Sequence, residues 1–308
     1  MITRKGLIFS VDGRYPWSQS HAQIPSPDLL SNGRIRIYYS SRDRLNRSLT
    51  SFIEVSADNP QEILYEHNQP ILEFGKLGCF DDCGVMPSSV VTHDEKKYLY
   101  YCGWNTSTTV RYRNCIGLAV SEDGGATFRR AFDGPILDRN KDEPHLVVTP
   151  HVIIEDGTWK MWYCGGTEWK IVNGVTEPQY LIKYAESSDG IDWRRDNRVL
   201  IPYKDENEAI GRPVVVHEDG LYKMWYSYRS IADYRHNRER SYRIGYAESK
   251  DNVTWERKDE QVGIELSEQG WDSEMLAYPY IVDYEDRRYL FYNGNGFGRS
   301  GFGYALID

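Results

Sequence analysis

The chain has 308 residues, and its 37 lysines and arginines stand against 46 aspartates and glutamates, so its formal charge is −9. This acidity argues against a nucleic acid or an anionic membrane as a partner, because both require a basic face. No apolar run approaches the roughly 18 residues of a membrane span, and the apolar stretch at residues 7–9 is too short for a signal peptide. Five cysteines are too few for a disulfide scaffold, which favours a cytoplasmic location.

The predicted elements are short strands that recur along the chain. Each repeat begins with a proline ahead of a β-rich run, and a turn such as residues 155–157 then leads into an aromatic strand. The prolines, called here the repeat prolines, stand 62 to 66 residues apart and are Pro25, Pro87, Pro150, Pro213 and Pro279. The second aromatic residue of the following strand is always tyrosine, at Tyr39, Tyr101, Tyr163, Tyr226 and Tyr292. Such a period is typical of a repeat architecture.

A Ser-x-Asp turn follows the third strand of the repeats. It begins at Ser121, Ser187 and Ser249, with a weaker copy at Ser56. These turns resemble the Asp-boxes of sialidases. Because serine and aspartate side chains satisfy the backbone amides of a turn, we assign these turns a structural role.

Four strands in each repeat, without any helical periodicity, predict an all-β fold of the five-bladed β-propeller type with four antiparallel strands per blade. The last repeat stops after its third strand, at residues 302–307, and residues 6–9 match the missing fourth strand. We therefore predict that the N-terminal strand joins the last blade and closes the ring. On this interpretation residues 1–308 form a single domain.

Carboxylates occupy three of the five positions that lie five residues before a repeat proline. They are Asp82, Glu208 and Glu274, and the prediction places them around one funnel mouth as catalytic residues. Cleavage at a glycosidic carbon typically uses a protonated and an ionised carboxyl group, and crowding of carboxylates keeps one of them protonated. The alternative is that these acids cap strand ends or pair with Arg212.

Further polar and aromatic residues flank this mouth. Acids and amides bind hydroxyl groups, arginines bind anionic groups, and tryptophan stacks on the C–H face of a sugar. The predicted substrate-binding residues are Asp81, His145, Arg212, Trp104, Asn105, Trp169, Arg42, Arg229, Asn295 and Asp272. No metal or cofactor is predicted, since Cys79 and Cys83 lack a second pair of ligands at suitable spacing.

Several short segments of the sequence support a resemblance to a known superfamily. The residues concerned are 80–87, 184–187, 223–226 and 270–275. The whole chain resembles the five-bladed propellers of the arabinanase, levansucrase and invertase superfamily. It is most similar to the propeller segment of glucosamine inositolphosphorylceramide transferases and to proteins of bacterial surface-polysaccharide loci. The resemblance implies a carbohydrate-active protein.

The sequence departs from that superfamily at its catalytic positions. The catalytic acids of the superfamily usually stand one or two residues before the repeat proline. The residues immediately before the prolines are Ile24, Met86, Thr149, Arg212 and Tyr278, and the preceding positions hold Gln23, Val85, Val148, Gly211 and Ala277. None of them is a carboxylate. Either the acids have moved to Asp82, Glu208 and Glu274, or hydrolysis is not the function.

Three functions therefore remain open. The first is a glycosidase-type enzyme, and the second is a glycosyl or sugar-phosphate transferase or phosphorylase in polysaccharide assembly. The second is motivated by arginines able to bind phosphate bidentately, namely Arg42, Arg212, Arg229 and Arg299. The third is a glycan-binding module without catalysis. The expected partner is a carbohydrate or sugar phosphate, and the sequence identifies no protein partner.

Overall fold

The computed structural model describes residues 2–307 and shows an all-β protein with three four-stranded sheets and one eight-stranded sheet. For description we divide the eight-stranded sheet into two, which gives five groups of four strands. The chain begins with β1 (Ile2–Phe9). The first group contains β2 (Ser20–Leu29), β3 (Arg34–Arg42), β4 (Ser48–Ser56) and β5 (Ile63–Glu66). The second contains β6 (Gly84–His93), β7 (Lys96–Thr106), β8 (Tyr112–Ser121) and β9 (Arg129–Arg130). The third contains β10 (Val147–Glu155), β11 (Thr158–Val172), β12 (Val175–Ser187) and β13 (Arg194–Arg195).

The fourth group contains β14 (Glu208–Glu218), β15 (Leu221–Ser230), β16 (Arg243–Ser249) and β17 (Glu256–Arg257). The fifth consists of β18 (Ala277–Tyr284), β19 (Arg287–Asn293), β20 (Phe302–Ile307) and, from the other end of the chain, β1. A short helix α1 (Asn295–Gly298) and two 3₁₀ turns, Arg238–Arg240 and Asp259–Gln261, complete the elements within residues 2–307. None of these helices is long or apolar enough to cross a membrane.

The predicted turns are confirmed where local chemistry determines them. Asp156 and Gly157 both have positive φ, 49° and 75°, which is the backbone of a type I′ hairpin turn, and Glu155 pairs with Thr158 across it. The Ser-x-Asp turns also have their expected structural role. Ser121 Oγ accepts the Gly125 N–H at 2.8 Å, and the neighbouring Asp123 carboxylate accepts further backbone N–H groups of the turn.

Strand pairing is antiparallel within every group, and β1 pairs with β20 from Ile2↔Ile307 to Phe9↔Phe302. A single parallel bridge, Ser48↔Gly84, joins β4 of the first group to β6 of the second. The first strands β2, β6, β10, β14 and β18 contact one another in chain order, and β18 also contacts β2. These five strands therefore surround the middle of the molecule.

The apolar core lies between neighbouring groups. Separate clusters of buried side chains fill the spaces between the first and second, the second and third, and the third and fourth groups. A larger cluster joins the fourth, fifth and first groups. Polar contacts span the same spaces: the Tyr38 hydroxyl donates to the Gly125 carbonyl, and the Tyr100 hydroxyl donates to the Gly190 carbonyl, both at 2.8 Å. Each group is thus stabilised by its neighbours.

Candidate functional site

A cavity of about 550 Å³ lies where the first strands begin and where the loops after the second strands gather. All five groups contribute to its lining, and its volume is in the range of small-molecule sites. The residues immediately before the repeat prolines all line it: Ile24, Met86, Thr149, Arg212 and Tyr278. The five residues directly before the repeat prolines therefore face one cavity, and none of them brings a carboxylate to it.

Four of these five residues have a left-handed backbone. Their φ values are 54° at Ile24, 50° at Thr149, 54° at Arg212 and 56° at Tyr278, a region that is unfavourable for bulky and β-branched side chains. The pairing of each first strand is irregular at the same point. Such strain persists only where surrounding contacts enforce it, and it is concentrated at functional sites.

Side chains from neighbouring groups hold this backbone in place. Each acceptor directly follows the tyrosine of a second strand and belongs to the preceding group. The hydrogen bonds run from Ile24 N–H to Asn293 Oδ1 at 2.7 Å, from Thr149 N–H to Cys102 Sγ at 3.0 Å, and from Tyr278 N–H to Ser227 Oγ at 2.9 Å.

Positive charge dominates the cavity lining. Within residues 2–307 no aspartate or glutamate lines the cavity, although the whole chain carries a formal charge of −9. The lining instead contains five arginines, Arg42, Arg111, Arg212, Arg229 and Arg235. A concave site of one charge sign attracts ligands of the opposite sign, so this cavity is suited to an anion.

The Arg229 guanidinium lies in a cage of tyrosines. Arg229 is 2% exposed, and its Nε donates to the hydroxyl oxygens of Tyr180 and Tyr242, both at 3.1 Å. Its guanidinium carbon lies 3.8 Å from the centre of the Tyr234 ring. No described carboxylate forms an ion pair with it. The tyrosines fix the direction of this cation while leaving its charge uncompensated.

One carboxylate, Glu177, pairs with arginines of the lining. The Glu177 carboxylate lies 3.0 Å from Arg235 and 3.8 Å from Arg111, and it accepts the Tyr234 hydroxyl at 2.8 Å. Burial opposes its ionisation, but the hydrogen bonds from Arg235 and Tyr234 outweigh burial and hold the pKa of Glu177 below its usual value. A single negative charge therefore accompanies five guanidinium groups.

Arg42 belongs to the first group and adds its charge to that of Arg235. Its Nε donates to Gln23 Oε1 at 2.8 Å, and within residues 2–307 it forms no ion pair. Burial and the nearby charge of Arg235 lower the pKa of Arg42, as expected for a cation without a counter-charge. A bound anion would relieve this repulsion.

Arg212 occupies the floor of the cavity and is 1% exposed. Its Nη1 donates to the Ser88 carbonyl at 2.9 Å and its Nη2 donates to Ser26 Oγ at 3.1 Å, which ties the fourth group to the first two. Burial lowers the pKa of Arg212 to about 10. The guanidinium remains charged at neutral pH and adds to the positive potential of the cavity.

The three predicted catalytic carboxylates do not line this cavity. Asp82 Oδ2 accepts the Gly78 N–H at 2.8 Å in a surface turn. Glu208 is 5% exposed and accepts two hydrogen bonds from Arg257, at 2.6 and 2.8 Å. Glu274 is exposed. Asp82 thus accepts a backbone N–H, and Glu208 pairs with an arginine, as in the alternative role considered for these acids. The partner of Glu208 is Arg257 and not Arg212.

Four of the predicted substrate-binding residues line the cavity, namely Arg42, Trp104, Arg212 and Arg229. The others lie outside the lining, for local reasons. Trp169 packs edge-on against the lining residue Tyr112 with ring centres 5.4 Å apart. Asn295 binds loop backbone at Glu274 and Gly270, and Asn105 and His145 are half-buried beside the second and third groups.

The remaining two predicted binding residues, Asp81 and Asp272, belong to a repeated structural contact. In four groups the second-strand tyrosine donates to a carboxylate that is also paired with an arginine of the outermost strand. The sets are Tyr101–Asp81–Arg130, Tyr163–Glu143–Arg195, Tyr226–Asp259–Arg257 and Tyr292–Asp272–Arg4. We call them the edge triads. They connect the inner and outer strands, so Asp81 and Asp272 are not available to a ligand.

The sequence analysis missed most of the aromatic and basic side of the cavity. Arg235, Tyr234 and Tyr242 come from the long loop between β15 and β16, and Arg111 and Tyr112 come from the corresponding segment at the start of β8. The available signal was the density of arginine and tyrosine in residues 228–243. The described part of the chain contains no cluster of three His, Cys, Asp or Glu side chains suited to a metal ion.

Comparison with known protein sequences finds full-length relatives but no matching family model. The uncharacterized protein Rv1502 of Mycobacterium tuberculosis strain H37Rv is 38% identical over 304 residues, which cover 98% of both chains. The uncharacterized protein MT1551 of strain CDC 1551 matches equally well.

Solved structures share the fold at low sequence identity. A glycosyl hydrolase from Bacteroides ovatus has a TM-score of 0.71 at 16% identity and covers 100% of this chain and 94% of its own. A thermostable family-43 glycoside hydrolase has a TM-score of 0.67 at 19% identity, and the match covers 97% of this chain and 91% of the hydrolase chain. A structure from the GH130 family of mannoside phosphorylases has a TM-score of 0.69 at 15% identity, and the match covers 100% of this chain and 94% of the other. The chain therefore has the glycoside hydrolase propeller-type fold.

Proposed function

We propose that this chain, which belongs to the family of the Mycobacterium tuberculosis protein Rv1502, is a carbohydrate-active protein whose cavity binds a sugar through an anionic group, with phosphate the best match. Its fold neighbours are named for glycoside hydrolases and mannoside phosphorylases, which supports a carbohydrate ligand. One observation supports an anionic group on the ligand. Five arginines line the cavity, and no carboxylate of residues 2–307 lines it with them.

The finer architecture that we propose is a single domain of five blades closed into a ring by β1. The cyclic contacts of β2, β6, β10, β14 and β18 support it, as does the pairing of β1 with β20. In this arrangement the cavity lies on the ring axis.

Phosphate fits the cavity through both charge and shape. The planar guanidinium group presents several N–H donors to phosphate oxygens, and charge-assisted hydrogen bonds of this type are about twice as strong as neutral ones. Among residues 2–307 the Arg42 guanidinium is engaged only through its Nε, by Gln23, and Arg229 lines the same space. These two arginines come from groups that are not adjacent, so that a phosphate between them would be bound from two sides.

The reaction class that suits these residues is glycosyl transfer to or from phosphate. When an acceptor hydroxyl attacks the anomeric carbon of a sugar phosphate, the carbon–oxygen bond to phosphate breaks and the phosphate leaves with the electron pair. The phosphate oxygen takes the proton of the acceptor, and the arginines stabilise the developing negative charge. This route needs no protonated carboxylic acid, which accords with the arginine-rich lining.

Calorimetric titration tests the anionic group directly. We expect inorganic phosphate and hexose 1-phosphates to bind wild-type protein, and neutral hexoses to bind at least tenfold more weakly. The variant Arg42→Gln should weaken phosphate binding by roughly tenfold or more, because it removes a charge-assisted contact. Arg44→Gln is the matched control, since Arg44 carries the same charge two residues away but lies outside the lining. Equal binding of phosphate to wild type and Arg42→Gln would contradict the proposal.

A hydrolase acting through Asp82, Glu208 and Glu274 is the second candidate, favoured by neighbours named as glycoside hydrolases. It predicts that Asp82→Asn and Glu274→Gln abolish release of reducing sugar from a glycan, while Arg42→Gln retains it. The transfer reaction predicts the reverse pattern, with turnover that depends on phosphate. Sugar phosphate binding without turnover would indicate the third function, a glycan-binding module.

A further inference from the structure

Two buried polar atoms at the floor of the cavity have no hydrogen-bond partner among residues 2–307. They are Thr149 Oγ1 and Arg212 Nε. Thr149 is 8% exposed and Arg212 is 1% exposed, and both residues line the cavity. A buried polar group without a hydrogen bond destabilises the fold, and a charged one does so more strongly, so two such atoms in one cavity require an explanation.

The two atoms belong to equivalent positions of adjacent groups. Thr149 and Arg212 each stand immediately before a repeat proline, in the third and fourth groups, and each has positive φ. The Thr149 N–H is fixed by Cys102, and the other guanidinium nitrogens of Arg212 are engaged by Ser88, Ser26 and Pro25. The Arg212 guanidinium is therefore held in place through its two Nη atoms, and the Thr149 backbone is held by Cys102.

The floor differs from the arginine side of the cavity in what it offers a ligand. Only one N–H of Arg212 remains, together with one hydroxyl that both donates and accepts. Two parallel guanidinium N–H groups, which would suit a phosphate, are not available there. A single hydroxyl oxygen matches these capacities, because it can accept from Arg212 Nε and donate to Thr149 Oγ1.

Apolar side chains, called here the apolar wall, line the same cavity. The wall consists of Met86, Leu146, Val148 and the ring of Trp104, contributed by the second and third groups. Trp104 is oriented by a hydrogen bond from its Nε1 to Ser48 Oγ at 2.6 Å. Apolar and aromatic surfaces of this kind pack against the C–H face of a sugar ring.

We infer that the floor is a second subsite, specific for a hydroxyl of the sugar ring, and that the substrate is a hexose phosphate that enters the cavity ring first. The inference rests on the proposed function. The anionic group then remains at Arg42 and Arg229, while Thr149 and Arg212 recognise the ring and the apolar wall supports its C–H face. Thr149 is thus a specificity residue that inorganic phosphate does not need.

The test is calorimetric titration of wild type, Thr149→Val and Thr149→Ser with inorganic phosphate and with glucose, galactose and mannose 1-phosphates. Valine keeps the shape of threonine without the hydroxyl, and serine keeps the hydroxyl. We expect at least one hexose 1-phosphate to bind wild type more tightly than phosphate does. Thr149→Val should weaken binding of that sugar phosphate by roughly fivefold and leave the affinity for inorganic phosphate unchanged. Thr149→Ser should retain the preference for the sugar phosphate over inorganic phosphate.

The inference fails if no hexose 1-phosphate binds better than inorganic phosphate, or if Thr149→Val weakens both ligands equally. It also fails if Thr149→Val retains the full preference. Each of these outcomes leaves phosphate binding, and with it the proposed function, intact. Absence of binding by both phosphate and all sugar phosphates would instead overturn the proposed function. Melting temperatures of the three proteins show whether the variants remain folded.

Discussion

Arginines occur in two contrasting regions of this molecule, the edge triads and the central cavity. At the edges Arg130 and Arg195 each pair with a buried carboxylate at 2.7 Å, and that carboxylate also accepts a tyrosine hydroxyl. In the cavity Arg229 is buried and Arg42 is half-buried, but neither forms an ion pair within the described chain. The edge arginines thus have a carboxylate partner, whereas Arg42 and Arg229 in the cavity have none among the described residues.

The contrast separates residues that stabilise the fold from residues held for a ligand. Removing one partner of a buried ion pair strongly destabilises a protein, so we expect the edge triads to stabilise the fold. A buried cation without a counter-charge lowers stability, and natural proteins tolerate this cost mainly where function depends on it. Carboxylate pairing therefore separates Arg42 and Arg229 from the edge arginines, whereas Arg235 in the cavity shares Glu177 with Arg111.

Breaking an edge triad should give the largest effect. Asp81 is fully buried, and Asp81→Asn leaves Arg130 without a counter-charge, so we expect the free energy of unfolding to fall by about 3 kcal/mol or more. Asp196→Asn, which removes the half-exposed partner of Arg198, should change it by less than about 1 kcal/mol. Urea denaturation measures both. A small effect at Asp81 would show that the edge triads do not differ from surface pairs.

Removing the carboxylate that pairs with the cavity arginines should shift stability and affinity in opposite directions. Glu177→Gln deletes the charge that offsets Arg235, so phosphate should bind more tightly by several-fold, on the order of 1 kcal/mol. The free energy of unfolding should decrease because Arg235 loses its ion pair. Calorimetric titration and urea denaturation of the same preparation provide the measurement. Weaker phosphate binding would mean that Glu177 itself contacts the ligand.

Acid should weaken the contact between the fourth and fifth groups. Hydrogen bonds from Arg288 and Lys223 lower the pKa of Glu218 to about 2, below the value of about 4.3 for an unfolded glutamate. The depressed pKa stabilises the fold above about pH 4.3, and this contribution is lost as the pH falls toward about 2. Because Glu218 is partly exposed, the effect should be below about 1 kcal/mol. Wild type and Glu218→Gln should differ in stability at neutral pH and converge as the pH falls toward the lowered pKa.

The smallest effect is a change in the pKa of His21. Burial and the charges of Arg42 and Arg299 lower the pKa of His21 to about 3. Replacing Arg42 by glutamine removes one of these charges, so the pKa of His21 should rise, and bound phosphate should raise it in wild type. Titration of the imidazole resonances by NMR follows both changes. His67, whose pKa is lowered by burial and Arg36, is the control and should not respond.

The sequence allowed the strand pattern and the turns to be predicted because both depend on local chemistry. The Asp156–Gly157 turn and the Ser121 turn follow from the conformations and hydrogen bonds available to a few adjacent residues. Arg212 was predicted as a substrate-binding residue from its place directly before a repeat proline, and it lines the cavity.

The catalytic carboxylates could not be placed in the same way. Asp82 lies in an irregular connection between groups, where distance from the proline does not determine the direction of a side chain. Glu208 opens β14, but its orientation depends on Arg257, which is 49 residues away in the chain. Tyr234 and Arg235 belong to a long loop whose path depends on contacts with Glu177. Long-range ion pairs, which the repeat pattern does not encode, decide these positions.

The pairing of β1 with β20 has a consequence for synthesis of the protein. β1 is translated before every other strand, and its sheet partner is translated last. At a rate of roughly 5–20 residues per second, β1 waits for about 15–60 s on the ribosome. An unpaired strand edge is prone to aggregation during that time, and charged side chains such as Arg4 and Lys5 within β1 oppose it. The fifth group is therefore completed only after the other four groups have been made.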